Sequence, residues 1–303
     1  MTLEIVNQPL LRTLSVFLLS HNRPETAIEA AKSILKQSST RFRFIISDNS
    51  ESGKAQDQVE DFCLLENIEF RKRGPKTTAF DHFWSCVGEC ETDYLMLFHD
   101  DDLMLPNFIE DFWESETLTN DCSAVGFNAI VENVDHSTTK SFVSRRTILG
   151  PLSASDLVDN YFLKFSPGIA PFPSYVFLSS ALKRPERSIG KYGDVALLFR
   201  LATEGKVCWV NKEVMIYRFH GGNDGLSESL TDRLRLLAFM KQNSSWFSRF
   251  NLSTYRYFLY CKIYRTRLGG TNKRIKQFIK RYRFSRITSL SYWHNLTHRL
   301  VFS

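Results

Sequence analysis

The stretch Tyr94–Asp102, which reads YLMLFHDDD, decides the fold because it joins an apolar run to three consecutive carboxylates. A continuous apolar run of this length predicts a strand that is buried on both faces. Three adjacent carboxylates repel one another, and a hard divalent cation with a bound phosphate compensates them well. The stretch therefore predicts a buried strand that ends at a metal site. A solvated acidic turn at Asp100–Asp102 is the alternative.

Further strands and helices precede this stretch in alternation. Apolar runs predict strands at Thr13–Leu19 (TLSVFLL), Phe42–Asp48 (FRFIISD) and Ile68–Arg71. Asn22 is a candidate cap for a helix with Pro24 in its first turn. Two more helices are predicted, near Ala55–Leu65 and Thr78–Glu89. Such alternation implies an α/β fold with a central, mostly parallel sheet and helices on both faces.

Polar clusters follow three of the predicted strands. Ligands of such folds lie beyond the carboxyl ends of the strands. The clusters are Ser20–Asn22, Asp48–Ser50 and His99–Asp102. The sequence thus predicts a binding site at this edge of the sheet.

The second half of the chain is less regular. A strand is predicted at Ala124–Glu132, and Ser153–Asp156 resembles a capping box that opens a helix ending at Phe162. The proline-rich stretch Phe165–Ser174 predicts a loop, where a variable substrate would bind. A helix is predicted at Asp194–Thr203, and it stops at a glycine.

Composition is that of an ordinary globular protein, with 43% hydrophobic and 24% charged residues in a chain of 303. No stretch approaches the roughly 18 uninterrupted apolar residues that a bilayer span requires. The N-terminal residues lack the basic region of a signal peptide, so a cytoplasmic protein is expected. The six cysteines have no zinc or disulfide spacing, and we expect them to be small core residues in a reducing compartment.

Charge is divided unevenly along the chain. The net charge is +6, yet the segment from Arg233 onward holds 16 Lys and Arg residues and no Asp or Glu. Within it, Lys273–Phe284 places Ile275, Phe278, Ile279 and Tyr282 on one helical stripe, a pattern typical of a helix in a membrane interface. The alternatives are a helix packed on the acidic part of the chain and a nucleic-acid-binding tail, although no nucleic-acid motif accompanies it.

Five stretches, taken together, resemble the family-two glycosyltransferases of the GT-A fold. They extend from about Leu14 to Asn223 and read LSVFLLSHNRPETAIEAAKSILKQ, FRFIISDNSES, YLMLFHDDD, GDVALLFRLATEGK and YRFHGGN. The resemblance implies a Rossmann-like GT-A domain over residues 1–228, followed by a basic, helical C-terminal region over residues 229–303. It also implies an inverting enzyme that moves a hexose or N-acetylhexosamine from a UDP-sugar to a glycan acceptor.

The resemblance assigns a donor-binding role to several residues. Asp48 would recognise the uracil or ribose, by accepting a hydrogen bond from the base; the alternative is a turn-starting Asp48 that caps Ser50. The stretch RKRGPKTTAFDHF, which holds Gly74 and Asp81, departs from the family's Asn-rich pattern. The other donor-binding residues implied are Ser20, His21, Asn22, Arg23, Asp81, Asp100, which would hold the ribose, and Asp101.

The resemblance also implies a metal site and a catalytic base. Asp102 would bind Mn²⁺ or Mg²⁺, with His220 as a further ligand or a contact of the diphosphate. Asp194 would be the base that deprotonates the acceptor hydroxyl, which typically contributes ~10²–10⁴-fold in rate. Many family members have Glu-Asp where this chain has Gly193-Asp194. A helix N-cap is the alternative role of Asp194.

The expected partners are a UDP-sugar, a glycan acceptor and an anionic membrane surface, with no nucleic acid. The basic tail favours a lipid-linked acceptor, as in surface polysaccharide assembly, and a peripheral position at the inner face of the cell membrane. Two other classes stay open. One is a non-catalytic GT-A domain that binds nucleotides or glycans, and the other is a sugar nucleotidyltransferase.

Overall fold

The computed structural model describes residues 12–119, 121–133, 138–143, 150–162, 169–185, 189–219, 229–242 and 277. The chain divides into two compact units. The first comprises Met1–Leu118, Pro173–Arg184 and Glu213–Arg218. The second comprises Thr119–Phe172, Pro185–Lys212 and Phe219–Ser303.

The first unit is built on a mostly parallel sheet. Its strands are β1 (Leu14–Ser20), β2 (Arg43–Asp48), β3 (Glu69–Lys72), β4 (Tyr94–His99), β5 (Leu103–Met104), β9 (Tyr175–Leu178) and the second half of β10 (Val207–Phe219). Strands β3, β2, β1 and β4 lie side by side in that order, each parallel to its neighbour, and β9 runs antiparallel to β4. A two-stranded antiparallel pair joins β5 to residues 215–216 of β10.

The register of this sheet brings the polar clusters to one edge. Ser20 lies opposite Asp48, and Leu19 lies opposite His99. Strands β1, β2 and β4 therefore end level with one another, to within a residue. The predicted α/β class and parallel sheet are confirmed. No end of strands β1 to β4 differs from its predicted position by more than one residue.

Four helices follow strands β1, β2, β3 and β5 of this unit. They are α1 (Pro24–Leu35), α2 (Gly53–Glu66), α3 (Ala79–Gly88) and α4 (Phe108–Thr119). Pro24 occupies the first helical position of α1, where its missing N–H is harmless. The prediction that Asn22 caps this helix is wrong, because Arg23 is the N-cap residue. Asn22 instead adopts φ 56°, and its Oδ1 accepts a hydrogen bond from Glu51 N at 2.9 Å.

The second unit contains the remaining elements. They are β6 (Ala124–Asn133), β7 (Thr138–Ser141), β8 (Gly150–Leu152), α5 (Ala154–Phe162), α6 (Gly193–Glu204), the first half of β10 and α7 (Leu230–Gln242). The predicted capping box of α5 is confirmed, since Asp156 N donates to Ser153 Oγ at 3.1 Å and Ser153 N donates to Asp156 Oδ2 at 2.8 Å. These reciprocal bonds satisfy two N–H groups that the helix leaves unpaired.

A hydrophobic cluster joins three helices of the second unit. Val158 of α5 packs with residues of α6 and with the apolar face of α7. The other buried members are Tyr192, Val195, Ala196, Phe199, Leu236, Leu237 and Met240. Helix α7 therefore packs inside a folded unit. The predicted division of the chain at residues 228 and 229 stays a prediction.

Two cysteines of the second unit correct the expectation that all six are free. Cys122 and Cys208 form a disulfide with a Cα–Cα distance of 6.0 Å. The backbone bond from Ser123 N to Lys206 O, at 2.7 Å, brings the two chain segments together. Their separation of 86 residues carries no recognisable spacing signal. Cys63 and Cys86 are buried free thiols, as predicted, whereas Cys90 is a half-buried free thiol. Cys261 lies outside the described residues.

The described helices include none that is long and apolar enough to cross a bilayer. The tail helix predicted at Lys273–Phe284 lies outside the described residues, apart from Gln277, which is helical. The part of the predicted loop before residue 169 also lies outside them, and Phe172–Ser174 form a turn of 3₁₀-helix.

Candidate active site

The loop after β1 contacts the loops after the neighbouring strands β2 and β4. His21 N donates to Asp100 Oδ2 at 2.9 Å, and Asn22 N donates to Ser50 Oγ at 2.7 Å. His21 Nδ1 also lies 3.2 Å from Asn49 O. The three predicted clusters therefore form one continuous surface at the carboxyl edge of the sheet.

Asp48 is fully buried at the end of β2. Its Oδ2 accepts hydrogen bonds from Ser20 Oγ at 2.6 Å and Ser50 Oγ at 3.1 Å. Its Oδ1 accepts one from Ser50 N at 2.8 Å. The bond from Ser50 N agrees with the alternative interpretation, in which Asp48 starts a turn and caps Ser50. The contact of Asp48 with a nucleotide base stays a prediction.

Arg23 lies against the first two carboxylates of the acidic run. Its Nη2 lies 2.5 Å from Asp100 Oδ1, and its Nη1 lies 2.8 Å from Asp101 Oδ2. Burial raises the pKa of Asp100 to about 6, and the nearby Arg23 and the His21 N–H counteract part of that shift. Asp100 is therefore a buried carboxylate with a fixed orientation, because each of its oxygens has a donor.

Asp102 is buried, and only one of its two carboxylate oxygens accepts a hydrogen bond from the described residues. Its Oδ1 accepts a hydrogen bond from Arg218 N at 3.0 Å. Its Oδ2 is buried and has no hydrogen-bond partner among the described residues. Burial, followed by the charge of Asp101, raises the pKa of Asp102 well above its ordinary value. A buried carboxylate oxygen without a donor is costly unless a ligand or cation completes it.

His99, Asp101 and Asp102 form the group best arranged to hold a cation. Their ligand atoms all lie within 4.8 Å of one another. Two carboxylates and one imidazole suit a first-row divalent ion such as Mn²⁺, and the unpartnered Asp102 Oδ2 supplies a ligand atom. The residues present therefore fit the implied metal. His220, the other predicted ligand, lies outside the described residues.

Two residues of this site could not be assigned a role from the sequence. His99 belongs to a predicted cluster but has no predicted role, although its place directly before the carboxylates is a signal. Arg218 lies in the stretch YRFHGGN, where only His220 is a predicted ligand. The Nε of Arg218 donates to Asp101 O at 2.6 Å, and its Nη1 lies 2.6 Å from Glu29 Oε2.

Asp81 lies on the exposed start of α3. Its N–H donates to Thr78 Oγ1 at 3.1 Å, and its Oδ1 lies 2.6 Å from Arg184 Nη2. The bonds to Thr78 and then to Arg184 lower the pKa of Asp81. Asp81 borders a cavity of about 500 Å³ that is also lined by Gly74, Pro75, Lys76, Thr77 and Ser85.

Asp194 belongs to the second unit and is the second residue of α6. Tyr192 occupies the N-cap position, so Asp194 is not the cap. The residue as a whole is partly exposed, yet its Oδ1 is buried and has no hydrogen-bond partner in the described part of the chain. Burial raises the pKa of Asp194 to about 6, and the N–H groups of Val195 and Asp194 oppose the shift.

A parallel sheet whose strands end in this acidic run is typical of nucleotide-binding α/β enzymes. Residues 15–159 match the family model described as glycosyl transferase family 2. The matched stretch covers slightly less than half of the chain and includes His99, Asp101 and Asp102. A search of the curated proteins finds no match.

Solved structures show the same fold. The crystal structure of S. aureus TarS 1-349 in complex with UDP-GlcNAc is 12% identical, with a TM-score of 0.60, over 84% of this chain and 73% of that one. A longer TarS crystal structure is also 12% identical with a TM-score of 0.60; the match covers 85% of this chain but only 45% of that one, so the chain spans less than half of its length. GalNAc-T7 with UDP, GalNAc and Mn²⁺ is 12% identical with a TM-score of 0.56, over 76% of this chain and 48% of that one. The predicted GT-A fold is confirmed.

Proposed function

We propose that this chain is an inverting glycosyltransferase that moves a hexose or N-acetylhexosamine from a UDP-sugar to a glycan acceptor. The observation that carries the proposal is the buried Oδ2 of Asp102, which has no hydrogen-bond partner among the described residues. It lies beside Asp101 and His99, within the stretch that matches the glycosyl transferase family 2 model. The donor class is supported by the structural relatives, which are described with UDP, UDP-GlcNAc, or UDP, GalNAc and Mn²⁺.

His99, Asp101 and Asp102 would hold Mn²⁺ or Mg²⁺. When bound, the cation supplies a Lewis acid that stabilises the charge of the leaving diphosphate. Arg218 sets the shape of this group, since its N–H binds Asp102 and its guanidinium binds the Asp101 carbonyl. Its second contact, with Glu29, anchors the guanidinium to α1. The chain thus orients its own ligands through backbone and side-chain hydrogen bonds.

The donor nucleoside would lie along the edge formed by the loops after β1, β2 and β4. Asp48 and Asp100 are the acceptors proposed for the base and the ribose, and the Ser20, Ser50 and His21 donors hold both carboxylates in place. Asn49 adds a buried Oδ1 with no hydrogen-bond partner among the described residues. These groups orient the donor, which lowers the entropy cost of transfer.

Asp194 is the residue proposed to accept the proton of the acceptor hydroxyl. A base is most effective when its pKa is near the working pH, because it is then both ionised and basic. The pKa of about 6 meets this condition at neutral pH. The buried Oδ1 has an unused lone pair, which a bound hydroxyl would occupy.

The acceptor and the place of action are also part of the proposal. A lipid-linked glycan and an anionic membrane surface fit the basic segment from Arg233 onward, because each basic residue near such a surface contributes ~1 kcal/mol. Replacing Lys280, Arg281 and Arg283 with Glu should release the protein from anionic liposomes and leave transfer to a short soluble acceptor unchanged. Absence of liposome binding by the wild type at low salt would contradict the membrane assignment.

The test of the proposed function is product analysis with a panel of UDP-sugars, Mn²⁺ and a mixture of lipid-linked and soluble glycans. Metal-dependent release of UDP with growth of the glycan is the expected result. Release of pyrophosphate would indicate a sugar nucleotidyltransferase. Saturable binding of the UDP-sugar without any product would indicate a non-catalytic domain. Heat-denatured protein and a reaction with EDTA are the controls.

A further inference from the structure

Helix α7 contacts the turn that precedes Asp194. The turn, residues 190–193, closes with a hydrogen bond from Gly193 N to Gly190 O at 3.1 Å. Asp232 lies near the start of α7, where its N–H donates to Ser229 Oγ at 3.3 Å. Its Oδ2 accepts a hydrogen bond from Lys191 N at 3.4 Å. A side chain 38 residues beyond Asp194 therefore reaches the backbone three residues before it.

Gly190 lies directly against Asp232 of α7. Its φ is +82°, in the left-handed region that side chains rarely adopt. A Cβ at this position would lie 2.5 to 2.7 Å from the Cγ, Oδ1 and Oδ2 atoms of Asp232. The Asp232 carboxylate thus packs directly on the Gly190 backbone, and only glycine leaves room for it.

Two further contacts hold α7 to the same place. The Arg233 guanidinium lies 5.2 Å from the centre of the Tyr192 ring, and its Nη2 is 3.5 Å from Tyr192 Oη. Further along α7, the apolar contacts with α6 are made by Leu236, Leu237 and Met240. The apolar contacts fix the two helices against each other, whereas Asp232 and Arg233 contact residues 190–192.

We infer that Asp232 is a positioning residue that sets the direction of the Asp194 carboxylate through the backbone of residues 190–193. The inference rests on the proposed function, in which Asp194 is the base. The turn leads directly into α6, whose second residue is Asp194, so a change in the turn would move the first turn of the helix. Misplacement of a catalytic group by about 1 Å can lower a rate by ~10²-fold, so a small movement would be measurable.

The experiment compares substitutions at Asp232 by steady-state kinetics with a UDP-sugar. Asp232→Ala removes the acceptor of the Lys191 N–H, and we expect kcat to fall about tenfold or more with an unchanged KM for the donor. Asp232→Asn keeps an oxygen acceptor of the same reach and should restore most of kcat. Thr231→Ala, at the exposed neighbouring position of α7, is the matched control. It should leave kcat close to the wild-type value.

A second variant and a background test complete the design. Gly190→Ala perturbs the same turn from the other side, through its left-handed φ and the clash with Asp232, and it should lower kcat in the same way. If Asp232 acts through Asp194, Asp232→Ala should have no further effect on the residual rate of Asp194→Asn. An equal fall in that background, or wild-type kcat in both Asp232→Ala and Gly190→Ala, would overturn the inference.

The outcomes also separate this inference from the proposed function. If Asp194→Asn itself retains wild-type turnover, the assignment of the base is wrong, whatever Asp232 does. If Asp194→Asn is inactive and Asp232→Ala is fully active, only the positioning role fails. If Asp232→Ala lowers the melting temperature so far that it is unfolded under assay conditions, the kcat of Gly190→Ala decides between the two outcomes.

Discussion

Asp100 and Asp194 are buried carboxylates in different units, and they differ in the hydrogen-bond and ion-pair partners of their oxygens. Burial raises the pKa of each to about 6. Asp100 has a guanidinium at 2.5 Å and a backbone donor on its other oxygen. Asp194 forms no ion pair among the described residues, and its Oδ1 has no hydrogen-bond partner there.

This difference in partners is the reason for proposing that Asp100 binds a ligand and that Asp194 accepts a proton. A carboxylate whose oxygens are both occupied is held in one orientation and serves as a fixed acceptor for a ligand group. A carboxylate with an unused oxygen and a raised pKa is ready to take a proton. The environments therefore support a binding role for Asp100 and a chemical role for Asp194.

The largest effect should come from Asp194→Asn. The amide keeps the size of the side chain but cannot accept a proton at neutral pH. We expect kcat to fall ~10²–10⁴-fold, while the affinity for the UDP-sugar stays near the wild-type value. Initial rates of UDP release measure the first quantity, and calorimetric titration measures the second. Glu204→Gln, at the exposed other end of α6, is the control. Near-normal turnover of Asp194→Asn would exclude the base.

The same substitution should make the protein more stable. An acid whose folded pKa is raised destabilises the fold once it ionises, so the penalty is absent below about pH 3 and complete above about pH 7. A shift from 3.8 to about 6 corresponds to a penalty of up to ~3 kcal/mol at pH 7.5 and ~1 kcal/mol at pH 4.5. Urea unfolding of wild type and Asp194→Asn at both pH values measures it. Equal stabilities at pH 7.5 would show that Asp194 is well solvated.

Arg23→Gln should have the corresponding effect on the first unit. It removes the cation beside Asp100 and leaves a buried carboxylate with the His21 N–H as its remaining donor. We expect a loss of ~1–3 kcal/mol in the free energy of unfolding near pH 8, which diminishes toward pH 5 as Asp100 becomes protonated. Arg43→Gln, which breaks a more exposed pair with Glu69, should cost less. Equal losses in the two variants would contradict the buried pairing.

The pH dependence of kcat should be the mildest of these effects. If the unprotonated Asp194 is the base, log kcat should rise with pH by about one unit per pH unit below pH 6 and level off above it. The rates are measured at saturating donor and metal, so that protonation of Asp100–Asp102 does not contribute to the pH dependence of kcat. A flat profile between pH 5 and pH 8 would argue against a base with this pKa.

Much of the fold could be predicted because its signals are local. The strand at Tyr94–His99 is an apolar run, and the capping box at Ser153–Asp156 is a four-residue pattern. The site was predictable in part for the same reason, since parallel strands of similar length place Ser20, Asp48 and Asp100 at one edge.

The features that the sequence could not predict depend on distant pairings. Arg218 contacts Asp102 across 116 residues, because β10 pairs with β5 next to the acidic run. The Cys122–Cys208 bond likewise depends on tertiary structure. Helix α7 has the basic composition of the tail, yet its apolar residues pack on α6. No local pattern distinguishes such a helix from a membrane-facing one.

The central claim is that Asp102 completes a metal site for a UDP-sugar, and the most direct test is calorimetric titration of UDP with and without Mn²⁺. Asp102→Asn keeps the acceptor for the Arg218 N–H and removes the charge from the unpartnered oxygen. Asp61→Asn, the same change at an exposed site on α2, is the control. We predict that Mn²⁺ strengthens UDP binding in the wild type and in Asp61→Asn but has no effect in Asp102→Asn. Undiminished Mn²⁺-dependent binding of UDP by Asp102→Asn would contradict the account.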